Sequence, residues 1–350
     1  MKKNSVILIC ILLFMAGNSF AISKVGTTAA QFLKIGVGSR ALGMGGAFVA
    51  VSNDVTAIYW NPAGLARLPH NEAILLHTEW LADISYDYAA LSVNMGNLGT
   101  LALSLTSVSM GEMEVRSELQ PEGTGELFDA GDIAGTLCYA RSLTDRFSIG
   151  MSVKYIRQNI WHMAANGVGF DVGTLFTTQF NGMRIGMSIS NFGPNMAMSG
   201  RDAREYVDVN PDANGSNDQI PAYLQMESWS LPITFRVGVA MEAINTRQNR
   251  LTLALDALHP NDNSESVNVG MEYAYFNWAF IRMGWQALFL TDDERGSVFG
   301  EDTGGDYVPT NVGLGFAYSI SPSLKFKVDY AYANFGRLEN TQRFSIGIEF

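Results

Sequence analysis

The chain has 350 residues, 47% of them apolar and only 16% charged, with 34 acidic against 23 basic side chains and a formal net charge of −11. Soluble domains carry about 25% charged residues, and an acidic balance of this size excludes nucleic acid as a partner, because such proteins neutralise phosphates with Lys and Arg. After the first twenty or so residues no apolar run approaches the ~20 residues of a membrane helix, which excludes helical spans.

The chain opens on MKKNSVILICILLFMAGNSFA: Lys2 and Lys3, an apolar run from Val6 to Ala16, then Ser19-Phe20-Ala21 as a small-x-small cleavage site. This predicts an export signal over residues 1–21. Cys10 lies inside it and is followed by Ile11 and Leu12, not by the small residues and closing cysteine of a lipid-attachment site. Cys138 is then alone, so no internal disulfide is expected in the exported chain. His70, His77, His162 and His259 are scattered without zinc-site spacing, and neither a metal nor another cofactor is expected.

Residues 22–70 form the next unit. Its run GVGSRALGMGGAFVAVSNDVTAIYWNPAGLA, Gly36 to Ala66, contains Gly36-x-Gly38-x-x-Ala41 with Asp54 downstream, the outline of a dinucleotide fingerprint. That fingerprint needs a buried strand before the glycines and a βαβ unit around them, and neither is present. Ser52 or Asn53 can cap a short helix through Tyr59, and Asn61 another with Pro62 at its first position. Single-turn helices joined by glycines suit a slim segment lying inside a barrel, where Phe48, Ile58, Tyr59, Trp60 and Leu65 find a surface to bury against.

From residue 71 onward the pattern has period two, the mark of strands with one apolar face. Fourteen runs stand out: 71–80, 84–95, 99–110, 129–142, 146–158, 166–179, 183–192, 231–243, 250–259, 266–276, 278–289, 308–319, 323–334 and 340–350. Most are long enough to cross a bilayer when tilted. Connections after even-numbered strands are tight, whereas 111–128, 193–230 and 290–307, all after odd-numbered strands, are long. That sorting predicts an antiparallel transmembrane outer-membrane β-barrel of about fourteen strands, with short periplasmic turns, long outer loops and both termini periplasmic. The domains are then a signal at 1–21, an N-terminal unit at 22–70 and the barrel at 71–350.

An Arg or Lys facing lipid at mid-bilayer costs ~2–4 kcal/mol, and the charges inside the strands accordingly share the polar parity. Lys154, Asp171, Arg184, Arg236, Asp256, Glu272, Arg282 and Asp329 are predicted to be luminal. Tyr86, Tyr88, Tyr155, Trp278, Trp285, Tyr318, Tyr330 and Tyr332 are expected in an aromatic girdle. Gly167, Gly169 and Gly173 share one parity and mark a candidate kink. Outside the strands, the three long loops hold most of the acidic excess, including Glu112, Glu114, Glu118 and Glu122. Asp212, Asn214, Ser216 and Asp218 alternate as calcium ligands can, but the glycine and closing Glu of a calcium loop are misplaced or missing. No nucleophile elbow, His-centred triad or phosphate loop is present, so no enzyme is expected.

The run from Gly36 to Ala66 closely resembles the N-terminal motif of the PorV/PorQ family of outer-membrane proteins, related to FadL-type transporters of hydrophobic compounds. The resemblance implies a FadL-like barrel without catalysis, in which Arg40, Gly43, Gly45, Gly46, Asp54, Asn61, Pro62, Ala63 and Gly64 belong to an intraluminal hatch, with Arg40 paired to Asp171, Asp256, Glu272 or Asp329. A terminal aromatic, here Phe350, resembles the signal read by the barrel-assembly machinery. The partners implied are outer-membrane lipid and, for PorV-type proteins, secretion-system proteins or exported cargo of a type IX pathway. The FadL likeness implies instead a passive channel for hydrophobic small molecules.

Overall fold

Side chains alternate along each strand, so a run that places Gly, Ser, Thr and charges at every second position and Leu, Val, Ile or aromatics between them builds a wall with two chemically different faces. Fourteen such strands are found in a computed structural model that describes residues 26–210, 212, 219–288, 310–334 and 340–350. In chain order they are β1 Glu72–Glu79, β2 Ser85–Asn94, β3 Thr100–Ser109, β4 Ala130–Ser142, β5 Phe147–Ile160, β6 Met163–Thr177, β7 Arg184–Phe192, β8 Thr234–Asn245, β9 Asn249–Pro260, β10 Ser266–Tyr275, β11 Ala279–Leu288, β12 Thr310–Ser321, β13 Leu324–Ala333 and β14 Thr341–Glu349. Each pairs antiparallel with its neighbours in sequence, and β14 returns to β1 with Glu72 opposite Glu349, so the sheet closes. Closure leaves no sheet edge unpaired. No helix among the described residues is long and apolar enough to cross a membrane.

The outward parity is apolar: Leu253, Leu255, Ile281, Phe316, Phe344 and Ile346 are all exposed. The inward parity holds Lys154, Asp171, Arg236, Asp256, Glu272 and Arg282, all buried. A soluble protein does not expose so continuous an apolar band, whereas a barrel in lipid must. Tight turns join the strands at one end, as at Phe276-Asn277, where both residues take left-handed backbone, and at Asn181-Gly182. The opposite end carries the long connections, which are partly ordered into small ladders: Met113–Glu114 with Leu127–Phe128, Met196–Ala197 with Ser228–Trp229, and Arg204–Val207 with Ile220–Tyr223. The predicted signal at 1–21, the loop 290–307 and the residues Asn214, Ser216 and Asp218 lie outside the described residues.

Three placements differ from the sequence reading. Tyr86 and Tyr88 are not girdle residues; they face inward, 1% and 3% exposed, and pack with Val37, Ile58 and Leu65. The lumen is solid there, so its wall is apolar where a water-filled lumen would make it polar. Between β6 and β7 the register does shift, between Phe170 and Val172, but the left-handed residue that accommodates it is Asn191 of β7, not a glycine of β6. Finally, Phe350 sits at the short-turn end, exchanging backbone hydrogen bonds with Asn71 (3.0 and 3.1 Å). Residues Thr28 to Lys34 lie at the other end, so the two described ends of the chain do not share a face.

Candidate functional site in the barrel lumen

Residues 28–68 run through the lumen from the long-loop end to the short-turn end. At the start, Thr28 and the 3₁₀ turn Gln31–Lys34 meet Asp262 of the β9–β10 connection. Thr28 Oγ1 and Gln31 Nε2 each donate to it at 2.8 Å, and Lys34 Nζ donates at 2.9 Å. The short helix α1, Ser39–Gly43, follows. Gly45 and Gly46, both with left-handed backbone, then turn the chain back against the wall. A second helix, α2, Ala57–Trp60, starts after Asp54, whose carboxylate accepts from Thr56 N at 3.0 Å. Asp54, and neither Ser52 nor Asn53, thus satisfies that turn. Asn61 accepts from Ala63 N at 3.2 Å with Pro62 at the first helical position, capping the 3₁₀ turn Pro62–Arg67. Its amide also donates to Val49 O (2.9 Å) and to Thr174 O of β6 (3.0 Å), tying two passes of the segment to the wall.

The fit between segment and wall is made by glycines on both sides. Gly43 lies on Gly313 of β12 and Gly45 on Gly284 of β11, while Gly64 leaves no room for a Cβ beside Ser52 O. On the wall, a Cβ at Gly150 would strike Pro62 and Ala63, one at Gly173 would strike Asn61, one at Gly186 Val49, and one at Gly270 Met44. Several of these sit opposite one another across strands: Gly150 with Gly173, Gly186 with Gly238, Gly270 with Gly284. They form a track along which backbone meets backbone. Sequence reading missed it, although the signal was there, since each is a mid-strand glycine on the inward parity.

Arg40 makes the central polar contact. Its Nε and Nη2 donate to the two oxygens of Glu272 on β10 (2.8 and 2.9 Å), and Nη1 donates to Asp54 (3.0 Å) and Asn53 (2.7 Å). Burial pulls the Arg40 guanidinium pKa down, but Glu272 and Asp54 outweigh it and hold it above the ordinary value, so the charge is permanent. Arg282 also donates to Glu272 (2.7 Å) and to Asp329 (2.6 Å), and Arg250 lies 3.4 Å from Glu272. Of the four acids open to Arg40 in the sequence reading, Glu272 takes it. Asp329 joins through Arg282. Asp171 instead accepts from Ser152 (2.6 Å), Asn191 N (2.8 Å) and Lys154 (2.9 Å), and Asp256 accepts from Phe48 N (2.7 Å) and Val49 N (2.8 Å). Arg184 faces Glu242 at 3.6 Å. Glu72 accepts from Val55 N and Lys327, both at 2.8 to 2.9 Å, an acid that sequence reading did not single out.

Two chambers remain on either side. Toward the short turns lies one of about 320 Å³, walled by Arg40, Asp54, Arg250, Arg282, Lys327 and Glu349. Toward the long loops lies one of about 640 Å³, walled by Phe32, Ile35, Leu42, Trp80, Val108, Arg236 and Arg343 among others. Arg236 lies 5.5 Å from the ring centres of Tyr59 and Trp60, and Arg343 4.8 Å from that of Trp80. Among the described residues no carboxylate comes within ion-pair distance of either. No cluster of His, Cys, Asp and Glu among the described residues could hold a metal ion.

The family described as Type IX secretion system protein PorV matches residues 18–259. The chain belongs to the PorV family. Among solved structures this PorV-family barrel is similar to the Pseudomonas putida toluene transporter TodX (12% identity, 90% of this chain and 97% of that one, TM-score 0.53). It is also similar to the Ralstonia pickettii toluene transporter TbuX (12%, 90% and 98%, 0.52) and to a Pseudomonas aeruginosa FadL homologue (12%, 90% and 98%, 0.50). At such identities the likeness carries the fold, that of FadL-like outer-membrane barrels, and nothing finer. Comparison with curated proteins finds no match. The PorV match spans the luminal segment and β1 to β9, so the contacts of Arg40 with Asn53 and Asp54 lie inside it, while Glu272, Arg282 and Asp329 lie beyond.

Proposed function

We propose that this chain is a non-enzymatic interaction component of protein export to the cell surface, of the type IX kind, residing in the outer membrane with its short turns in the periplasm and its long acidic loops outside. In this reading residues 22–70 are a hatch that stays in place, Phe350 is read by the barrel-assembly machinery, and the partners are secretion-system proteins or exported cargo. Membership of the PorV family supports it. The observation that carries it is the way the segment is fixed in the lumen, by the Arg40–Glu272–Arg282 cluster that joins it to β10 and β11 and by the glycine track. An apolar solute passing through would have to displace packed backbone and buried ion pairs, which is costly in a low-dielectric interior.

A second reading is a passive channel for hydrophobic small molecules. It is favoured by the 640 Å³ chamber, which falls in the ~300–1,000 Å³ range of small-molecule sites. The acidic loops separate the two. Clustered charge steers a basic protein surface and does so less as salt screens it over ~8 Å. Replacing Glu112, Glu114, Glu118 and Glu122 by Gln is expected to lower recovery of the co-purifying export partner severalfold at low salt and little at high salt. Uptake of an apolar solute is expected not to change. Unaltered partner recovery with altered uptake would favour the channel.

A further inference from the structure

The luminal segment is held in two different ways along its length. From Gly36 to Leu68 its backbone lies against wall glycines, and its polar atoms are taken by the wall: Asn311 Nδ2 donates to Leu42 O (2.9 Å), Ser188 Oγ to Trp60 O (3.0 Å) and Glu72 accepts from Val55 N (2.8 Å). Movement there means breaking many contacts at once. From Thr28 to Ile35 the arrangement is different. Among the described residues no wall glycine lies against this stretch, and its polar hold is concentrated on one side chain, Asp262, which is 0% exposed and accepts from Thr28, Gln31 and Lys34. Among the described residues three single backbone contacts supplement it: Ala29 N donates to Ser230 O (2.9 Å), Ala30 N to Gln158 Oε1 (2.8 Å) and Tyr86 Oη to Ile35 O (3.4 Å).

The position of this stretch gives the clasp a consequence. Gln31, Phe32, Lys34 and Ile35 form one wall of the 640 Å³ chamber, and Asn263 and Ser264, next to Asp262, form another. The Asp262 hydrogen bonds therefore tie two walls of the chamber together at the long-loop end. On the opposite side of the turn, Phe32 and Leu33 pack with Ile156, Met196 and Leu231, so the turn has one apolar anchor and one ionic clasp. We propose that residues 28–35 are a strap closed by Asp262, and that releasing this clasp widens the outer chamber while residues 36–68 remain seated.

Lys34 is the charged group that faces Asp262 across the clasp. His259 at the end of β9 and Glu265 on the same connection, paired at 2.9 Å, are exposed and turned to solvent. Burial raises the Asp262 carboxyl, but the hydrogen bonds from Gln31, Lys34 and Thr28 outweigh it and hold it below the usual carboxylate range. A depressed carboxylate contributes its stability above its unfolded pKa of ~3.9 and loses it only as pH falls through the lower folded value. The clasp is thus closed throughout neutral and mildly acidic conditions, and its release calls for a competing ligand or partner.

The test uses the full chain with Cys138, the one cysteine after the export signal, replaced by Ser. Ile35→Cys reports on the strap and Val51→Cys, a site 1% exposed, on the seated part. Thiol labelling by a charged maleimide is followed in nanodiscs. Hydrogen bonds to a charged group are worth ~1.5–3 kcal/mol, so Asp262→Asn is expected to speed Ile35→Cys labelling about tenfold or more, Lys34→Met similarly, with Val51→Cys slow in all backgrounds. An unchanged Ile35→Cys rate in both variants would show that the clasp does not hold the strap. A parallel rise at Val51→Cys would show that the segment moves as one body, and would overturn the division proposed. Should Asp262→Asn lack the heat-dependent gel shift of a folded barrel, Lys34→Met and Thr28→Ala carry the same comparison.

Discussion

Removal of residues 26–66 is expected to convert a nearly closed barrel into a wide pore. Barrels of eight strands are filled by their own side chains and those of sixteen to eighteen hold an aqueous channel. A fourteen-strand wall emptied of its luminal segment belongs near the second group. With the segment present, two chambers of about 640 and 320 Å³ are separated by packed backbone. Without it, water should be continuous from one end to the other, and single-channel conductance in planar bilayers is expected to rise about tenfold or more. The inward parity left behind, with Lys154, Asp171, Glu272 and Arg282, tolerates water well. Equal conductance for intact and shortened chains would mean that the segment does not obstruct the lumen.

The second large effect is expected at Glu272. Its carboxylate, 1% exposed, serves Arg40 and Arg282 through hydrogen bonds of 2.7 to 2.9 Å, with Arg250 at 3.4 Å. Glu272→Leu would leave these guanidinium groups without a common partner, and of them Arg282 is itself buried. Breaking a buried pair from one side costs ~3–5 kcal/mol. The midpoint of denaturant unfolding in lipid should fall accordingly, and the contact of Arg40 with the wall should loosen with it. Glu242→Leu is the control, since Glu242 meets Arg184 at 3.6 Å near the short-turn rim where both are partly exposed. Such a pair is worth ~0–1 kcal/mol. Similar losses for the two variants would contradict the central place given to Glu272.

The wall was legible because a bilayer outside and polar groups inside impose opposite chemistry on alternate residues. Runs such as Leu253-Ala254-Leu255-Asp256 carry that difference in every pair. The rule failed where the lumen is filled with protein, because Tyr86 and Tyr88 obey the packing demands of Val37 and Ile58 and not those of water. The luminal charges were visible as a set but not as pairs. Parity says that Asp171, Asp256, Glu272 and Asp329 face inward; only the path of the segment says that Arg40 stops at Glu272. The glycine track was visible only as mid-strand glycines on the inward parity, since a small residue on a wall takes its meaning from the chain lying against it. The strap at Asp262 depends on a connection between β9 and β10 that carries no pattern of its own.

The proposed role of this PorV-family chain in protein export, with a sealed lumen, is tested most directly by deletion of its gene with two outputs read in the same cells. Exported proteins at the cell surface are expected to fall sharply and to return when the intact chain is supplied, while uptake of an apolar solute such as toluene is expected to be unchanged. Surface export at the normal level together with a clear loss of toluene uptake would contradict the account and make the barrel a channel.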